Sequence, residues 1–503
     1  MGNFFNKRIV KNTFILTAFA FLGKTISAIF KIGLSNVVGS FGMGIYQLVF
    51  PVMVFFIVLS SEGVGVALTI KTAQNNLEKR VEYGKLARVI TLLFSIVSGV
   101  ILVLFSRFLT NLQGGVVPTI LYVICAVGVV IISMLSVVKA QLRGEENFKL
   151  YSILDMVEDI LKVVFALCIG LFLMDKGVVV AITGVIIGII LSSLVTLLLA
   201  LILQKKNKKA ISHEKLTKLE KQEFIKFSVV SSLSKLIVPT IQFIETTLVI
   251  KLLMQTNLSV ELATRLFGIS KGSVSAIINL PSFALCIIET LLLPSLSRSR
   301  VNGLYFKKAN MSVVLAVFIT MPFMFLFVLF PDIIISVIYP LALTTAEKVV
   351  AVNLLKIGSI AVVFSSISSV CVVILNCNNK SVEPLVASMV AGALKLTFLV
   401  VFTKSMSIYA LEFSSVLFGL VSCVINLFCV RGYKEITDCL QVVPVMLFWS
   451  AIFGLCFILY NMFKAVLSPI LASLVSLGII LVILGVLFAI FFKKIKESLN
   501  NLV

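Results

Sequence analysis

The stretch Gly39-Ser-Phe-Gly-Met-Gly-Ile-Tyr-Gln-Leu-Val-Phe-Pro-Val-Met-Val-Phe-Phe-Ile-Val-Leu-Ser-Ser-Glu-Gly-Val-Gly-Val-Ala67 decides the fold. From Met43 to Ile70 its only acidic or basic residue is Glu62. About 20 predominantly apolar residues carry a helix across the ~30 Å hydrocarbon core of a bilayer, and this run is longer than that. It is also too long for a buried strand and shows no period-two alternation. We read it as a membrane-spanning helix. Pro51 is tolerated inside it because neighbouring helices can satisfy the freed backbone group.

Runs of the same kind extend towards both ends of the chain. Fourteen are predicted, near 12–34, 43–70, 88–106, 117–138, 150–173, 178–203, 225–250, 273–297, 309–331, 351–375, 382–402, 408–430, 440–463 and 468–492. The 503 residues are 60% apolar and 13% charged, with a mean hydropathy of +1.15. Soluble chains carry about a quarter charged residues, so a soluble enzyme, a disordered chain and a coiled coil are excluded. The expectation is an all-α polytopic membrane protein of about 14 transmembrane helices.

The net charge of +21 would suggest nucleic acid in a soluble protein. Here the positive residues gather in alternate connections. Of the 43 Lys and Arg, 29 fall in one set of connections, including eight Lys over 205–226, and eight fall in the other. The remaining six, Lys24, Lys31, Lys162, Lys235, Lys356 and Lys395, lie within runs. Basic loops face the cytoplasm, so both termini are expected there and no nucleic-acid partner is expected. Lys7, Arg8 and Lys11 precede the first run without a small-residue cleavage site, which reads as an uncleaved first span.

The longest charged connection divides the chain. An N-lobe is predicted over 1–203 (helices 1–6), a cytoplasmic basic linker over 204–224 and a C-lobe over 225–432 (helices 7–12). Helices 13 and 14 follow over 433–503. A weak internal repeat supports the division: Pro51 and Pro281 sit in spans two and eight, and Gly144 to Lys162 has the same spacing as Cys377 to Lys395. Halves of this kind point to a transporter with its substrate site between them.

Ionisable residues inside spans are expensive and are functional candidates. Lys24 and Lys31 are seven residues apart, about 10.5 Å along one face of span one. Both can point at a cavity; for Lys31, snorkelling to the interface is the structural alternative. Glu62 has a depth near that of Lys24. Glu158 and Lys162 have the favourable i, i+4 order of an ion pair, structural or functional. Lys235 and Glu289 have similar depths in spans seven and eight, and a contact between them is expected. Glu245 and Lys395 complete the set. Lysines at this depth suit a phosphate or pyrophosphate as point charges. Carboxylates that titrate or bind sodium would couple transport to an H+ or Na+ gradient. The expected substrate-binding residues are therefore Lys24, Lys31, Glu62, Lys235 and Lys395. The expected coupling or structural ion pairs involve Glu158, Lys162, Glu245 and Glu289.

No catalytic residue, metal site or cofactor is expected. The nine cysteines contain no C-x-x-C, most lie in apolar runs, and the one histidine, His213, sits in a polar loop. No Walker A, G-x-S-x-G or H-E-x-x-H motif is present.

Several stretches carry a family resemblance. They are Gly39 to Pro51 running on to Ala67, Arg143-Gly-Glu-Glu-Asn-Phe with Asp155-Met-Val-Glu-Asp-Ile-Leu-Lys162, Asn279-Leu-Pro-Ser-Phe-Ala with Leu291-Leu-Leu-Pro-Ser-Leu-Ser297, and Leu375-Asn-Cys-Asn-Asn-Lys380 with Pro384. Together they resemble the polysaccharide-exporter branch of the multidrug/oligosaccharidyl-lipid/polysaccharide (MOP) superfamily, in particular its stage V sporulation protein B and lipid II flippase types. The resemblance implies two six-helix lobes in a V around a central cavity. It implies a flippase that moves an undecaprenyl-pyrophosphate-linked saccharide, a lipid II-like peptidoglycan or spore-cortex precursor or another repeat unit, by alternating access in a bacterial plasma membrane. Helices 13 and 14 would form a groove for the lipid tail. Lys24 and Lys31 would match cationic cavity residues of span one, Glu62-Gly63 a Glu-Gly turn in span two, and Glu158 and Lys162 a Glu and a basic residue of span five. Where the lipid II flippases carry arginines, this chain has Ile57 and Ala276; Cys377 stands where a glycine is usual, and Glu289 lies in a stretch that is normally apolar or small. Implied partners are the lipid-linked saccharide, membrane lipids and cell-wall synthases. The alternatives are a cation-coupled multidrug exporter of the same superfamily and, ranked lower, a polytopic glycan polymerase. A polymerase would need a large outer loop, and the longest outer connection, 251–272, holds only Lys251, Glu261, Arg265 and Lys271.

Overall fold

The computed structural model describes residues 2–206, 216–282, 305–378, 380–432 and 442–464, with 285, 296, 471–473, 475–476 and 478–479. Among them are fourteen α-helices and no strand: α1 (Gly2–Gln74), α2 (Leu77–Leu112), α3 (Thr119–Gly144), α4 (Phe148–Phe172), α5 (Val178–Lys206), α6 (Lys218–Met254), α7 (Val260–Phe267), α8 (Ser275–Ile278), α9 (Tyr305–Leu329), α10 (Pro331–Ile338), α11 (Thr345–Cys377), α12 (Val382–Met406), α13 (Tyr409–Gly432) and α14 (Val442–Lys464). A π-helical segment, Gly268–Val274, joins α7 to α8.

The first two expected spans form one helical element broken at Gly39. A straight helix of 73 residues would extend about 110 Å at 1.5 Å per residue, several times the thickness of a membrane core. Gly39 interrupts it with φ 67° and ψ −175°, a conformation open to glycine and costly for a residue with a Cβ. The chain folds back there: the rings of Phe30 and Tyr46 are 6.3 Å apart, whereas sixteen residues of straight helix would separate them by about 24 Å.

Ten helices are long and apolar enough to cross a membrane among the described residues, and the first of these segments, Phe21–Gln74, holds two expected spans. The chain is a multi-pass membrane protein. The lipid-facing character is plainest on α2, where Leu93, Val97, Val100, Leu104, Phe105 and Phe108 are all more than half exposed; side chains of this kind in a long array suit a hydrocarbon solvent. α4 is more polar than these ten, because Asp155, Glu158, Asp159 and Lys162 lie within it. Most of the fourteenth expected span, 468–492, and most of the eighth lie outside the described residues.

The chain folds as two compact units. The first comprises Met1–Ile277, Leu341–Glu347 and Ser388–Ser414, and the second Ile278–Pro340, Lys348–Ala387 and Ser415–Val503. This division follows packing rather than chain order. In that unit the two arms of α1 pack on α3, α4 and α6. Gly63 sits in the continuous helix of the second arm rather than in a turn, and a Cβ there would lie 2.2 Å from the Ser228 carbonyl oxygen and 2.1 Å from Ser232 Oγ of α6. The glycine is what lets the two helices approach, a device common between membrane helices. α6 begins at a capping box, with Thr217 and Glu220 each satisfying the other's backbone N–H.

In the second unit α9, α11, α13 and α14 supply the core. Phe325 stacks on Phe453 at 5.1 Å, and Trp449 packs on Phe318 at 5.3 Å. Its buried hydroxyls find one another: Thr320 with Ser366 at 3.0 Å and Ser368 with Ser422 at 2.9 Å, while Asn426 Nδ2 donates to Ser368 Oγ at 2.9 Å. Without water in the membrane core, such groups need internal partners.

Candidate functional site

The first charged constellation lies between α1, α3, α4 and α5. The first arm of α1 runs alongside α4 in the same direction, because their contacts advance together. Gly23 meets Asp159, with 2.8 Å between a built Cβ and Asp159 Oδ2, and Gly33 meets Leu167 at 3.6 Å. Between these points Lys31 lies close enough to Lys162 to feel its charge. Lys162 Nζ donates to Asp159 Oδ1 at 2.8 Å, one turn away on the same helix. Lys139 of α3, under a tenth exposed, donates to Asp155 Oδ1 at 2.7 Å and to Glu158 Oε2. Ser193 Oγ of α5 donates to Glu158 Oε1 at 2.7 Å.

This corrects the expected pairing. Glu158 does not hold Lys162: Asp159 takes Lys162, and Glu158 takes Lys139, which the sequence places among connection charges. The reason is rotational. Glu158 turns towards α3 and α5, whereas Asp159, one residue on, turns towards α1.

The charge balance of this region is uneven. Lys139 and Lys162 have carboxylate partners. Lys24 and Lys31, both half-buried on α1, make no ion pair or hydrogen bond among the described residues. Glu62, also half-buried, is not brought to Lys24 and has no ion-pair partner among those residues.

A second constellation ties α6, the π segment, α12 and α13 within the same unit. Lys395 Nζ of α12 donates to Glu245 Oε2 of α6 at 2.8 Å, and Lys271 Nζ lies 3.0 Å from Glu245 Oε1. Ser270 Oγ donates to Glu412 Oε1 of α13 at 2.6 Å. Glu245, Lys395 and Glu412 are 4%, 8% and 2% exposed, and Lys271 is partly buried, with 19% of its side chain exposed. The π segment brings Ser270 and Lys271 here, and Ser273 of the same segment meets Ser35 of α1 at 2.8 Å. π segments are rare and often mark functional positions because the extra residue re-aims the side chains around it.

The structure therefore joins Glu245 to Lys395, two residues the sequence singles out for different roles, and adds Lys271, Glu412 and Lys139. Lys271 falls in what reads as the outer connection 251–272, but that stretch is mostly helical. Arg265 is neutralised on its own helix by Glu261 at 2.8 Å, and Lys271 by Glu245. Lys235 is exposed on α6, with no ion pair among the described residues. Glu289, its expected partner, lies outside the described residues, as does His213.

The sequence matches the family described as "Polysaccharide biosynthesis protein" over residues 9–300. No curated relative matches in sequence. Among solved structures, the lipid II flippase MurJ in an inward closed conformation aligns with a TM-score of 0.75 at 12% identity, covering 95% of this chain and all of that one. An inward-facing multidrug resistance MATE family transporter of the MOP superfamily aligns with a TM-score of 0.67 at 15% identity, covering 85% of this chain and all of that one. A MOP superfamily transporter from Pyrococcus furiosus, described as having a binding pocket of reverse polarity, aligns with a TM-score of 0.59 at 14% identity over 84% of this chain and 95% of that one. At these identities the likeness is one of fold.

Proposed function

The chain belongs to the polysaccharide biosynthesis protein family, and on that premise we propose that it is a flippase for an undecaprenyl-pyrophosphate-linked saccharide, working by alternating access in a bacterial plasma membrane. The observation that carries this reading is the imbalance at α1. Lys24 and Lys31 have no carboxylate partner among the described residues, while Lys162, near Lys31, and Lys139 of α3 do. Two ammonium groups about 10.5 Å apart along one helix face are a receptor for a spread anion, and a pyrophosphate with its sugar is one. The ammonium binds phosphate as a point charge and tolerates movement of the ligand, which suits a carrier. The likeness in fold to the lipid II flippase MurJ supports the same class. The Lys- and Arg-rich connections are placed on the cytoplasmic side, where such lipids are built, and cell-wall synthases would consume the product on the other. No bond of the saccharide is made or broken in this reading, so the chain acts as a transporter and not as an enzyme.

A cation-coupled multidrug exporter is the second reading, supported by the likeness in fold to MATE transporters. It fits the charges less well. Lysines with no carboxylate partner among the described residues repel cationic amphiphiles, and the buried Glu245 is bracketed by two lysines.

Complementation of a lipid II flippase-depleted bacterium tests the proposal, with wild type beside Lys24→Ala and Lys31→Ala and with expression checked in each. Rescue by wild type and loss of rescue in both variants is the expected outcome. Equal rescue by Lys24→Ala and Lys31→Ala would remove the cationic site from the mechanism. Drug resistance conferred on a pump-deficient host, without rescue, would favour the exporter.

A further inference from the structure

Buried carboxylates in a transporter are the default seats of a coupling cation, and Glu245 and Glu412 have the position for it. Their surroundings answer the charge internally. Both oxygens of Glu245 face ammonium groups, Oε2 that of Lys395 at 2.8 Å and Oε1 that of Lys271 at 3.0 Å. Glu412 takes the Ser270 hydroxyl at 2.6 Å and lies within electrostatic reach of both lysines. Among the described residues, two carboxylates and two lysines balance to zero. A sodium ion needs several oxygen ligands and would have to enter beside two fixed positive charges, where repulsion in a low-dielectric interior is strong. The π segment places Lys271 in this contact, and the Ser273–Ser35 bond holds that segment against α1.

We propose that Lys271 and Lys395 are the tethered cations of this site, doing between α6, α12 and α13 what a bound metal cation would otherwise do, so that the Glu245–Glu412 site takes up no Na+. The inference deepens the transport reading by removing Na+ at this site from its energy sources and leaving the proton gradient or the membrane potential. It rests on that reading only for this consequence, because ion occupancy is measured on the isolated protein whether or not a saccharide is moved.

The test is the melting temperature of the purified full chain in detergent, followed in rising NaCl and in matched choline chloride. Wild type and Lys395→Arg should melt alike in the two salts. Lys395→Met leaves two carboxylates against one ammonium and should gain several degrees in Na+ over choline, the mark of a ligand that binds only the folded state. A Na+-specific rise in wild type that Glu245→Gln abolishes would overturn the proposal. So would a folded Lys395→Met with no preference for Na+. If Lys395→Met does not fold, wild type beside Glu245→Gln decides the matter alone. Failure of the complementation experiment would count against the transport reading and would leave these melting curves as they are.

Discussion

Lys139 shows how much one side chain can carry in this protein. It is 9% exposed and holds Asp155 at 2.7 Å together with Glu158. Lys85, in an ion pair of similar length with Glu82, is 50% exposed. Asp155 is 43% exposed and Glu158 19%, so losing Lys139 leaves them partly solvated and costs less than the about 3–5 kcal/mol of a fully buried pair, but more than the about 0–1 kcal/mol of an exposed one. Lys139→Met should therefore lower the melting temperature of the purified protein markedly, Lys139→Arg should recover most of the loss, and Lys85→Ala should leave it nearly unchanged. Equal melting of Lys139→Met and Lys85→Ala would mean that Lys139 is solvated by a water-filled cavity. Residues of this kind were only partly legible in the sequence. Glu245 and Lys395 stand out because each interrupts an apolar run. Lys139, Lys271 and Glu412 sit at the ends of runs, where a charge reads as a loop or interface residue, and only the packing of other helices around them reveals the burial of Lys139 and Glu412 and the pairing of Lys271.

The helices themselves were far more legible, because apolar length alone specifies them. Twelve of the fourteen expected runs lie wholly or almost wholly on described helices, including the charged α4. The differences have two physical causes: a charge whose partner lies on another helix reads as part of a loop, and a glycine that serves close packing reads as a turn. Arg265 and Lys271 suggested a loop over what is α7 and the π segment. The Glu-Gly turn that the family resemblance implies at Glu62-Gly63 is unbroken helix, where Gly63 serves close packing on α6. That packing makes a prediction. In Gly63→Ala the new methyl would sit 2.2 Å from the Ser228 carbonyl oxygen, a backbone atom that cannot rotate away. Overpacking of this sort costs about 1–3 kcal/mol. Gly454→Ala on α14 has nothing within 4 Å and should be neutral or slightly stabilising. Thermal melts of the two variants in one detergent check the contrast, and a Gly63→Ala protein as stable as Gly454→Ala would show that α1 and α6 are less tightly apposed.

Polar contacts join early and late parts of the chain inside the first unit. Ser35 of α1 meets Ser273 of the π segment, and Ser40, just past the break at Gly39, donates to Glu347 Oε1 at 2.5 Å, with Arg265 3.7 Å from the same oxygen. A chain that alternates access as proposed must let the segments on one side of its substrate part and meet again, and bonds of this type are the ones such a cycle would break. Hydroxyl oxygens 2.8 Å apart put the two side chains in contact, which makes the pair the one to cross-link. Ser35→Cys with Ser273→Cys, in a background cleared of the native cysteines, should cross-link under mild oxidation. The oxidised protein should lose most of its rescue or translocation activity, and reduction should restore it, while each single variant stays active. Full activity in a quantitatively cross-linked sample would mean that α1 and the π segment travel together through the cycle. The moving boundary would then lie elsewhere, and the Glu245–Lys395 contact between α6 and α12 would be the next place to lock.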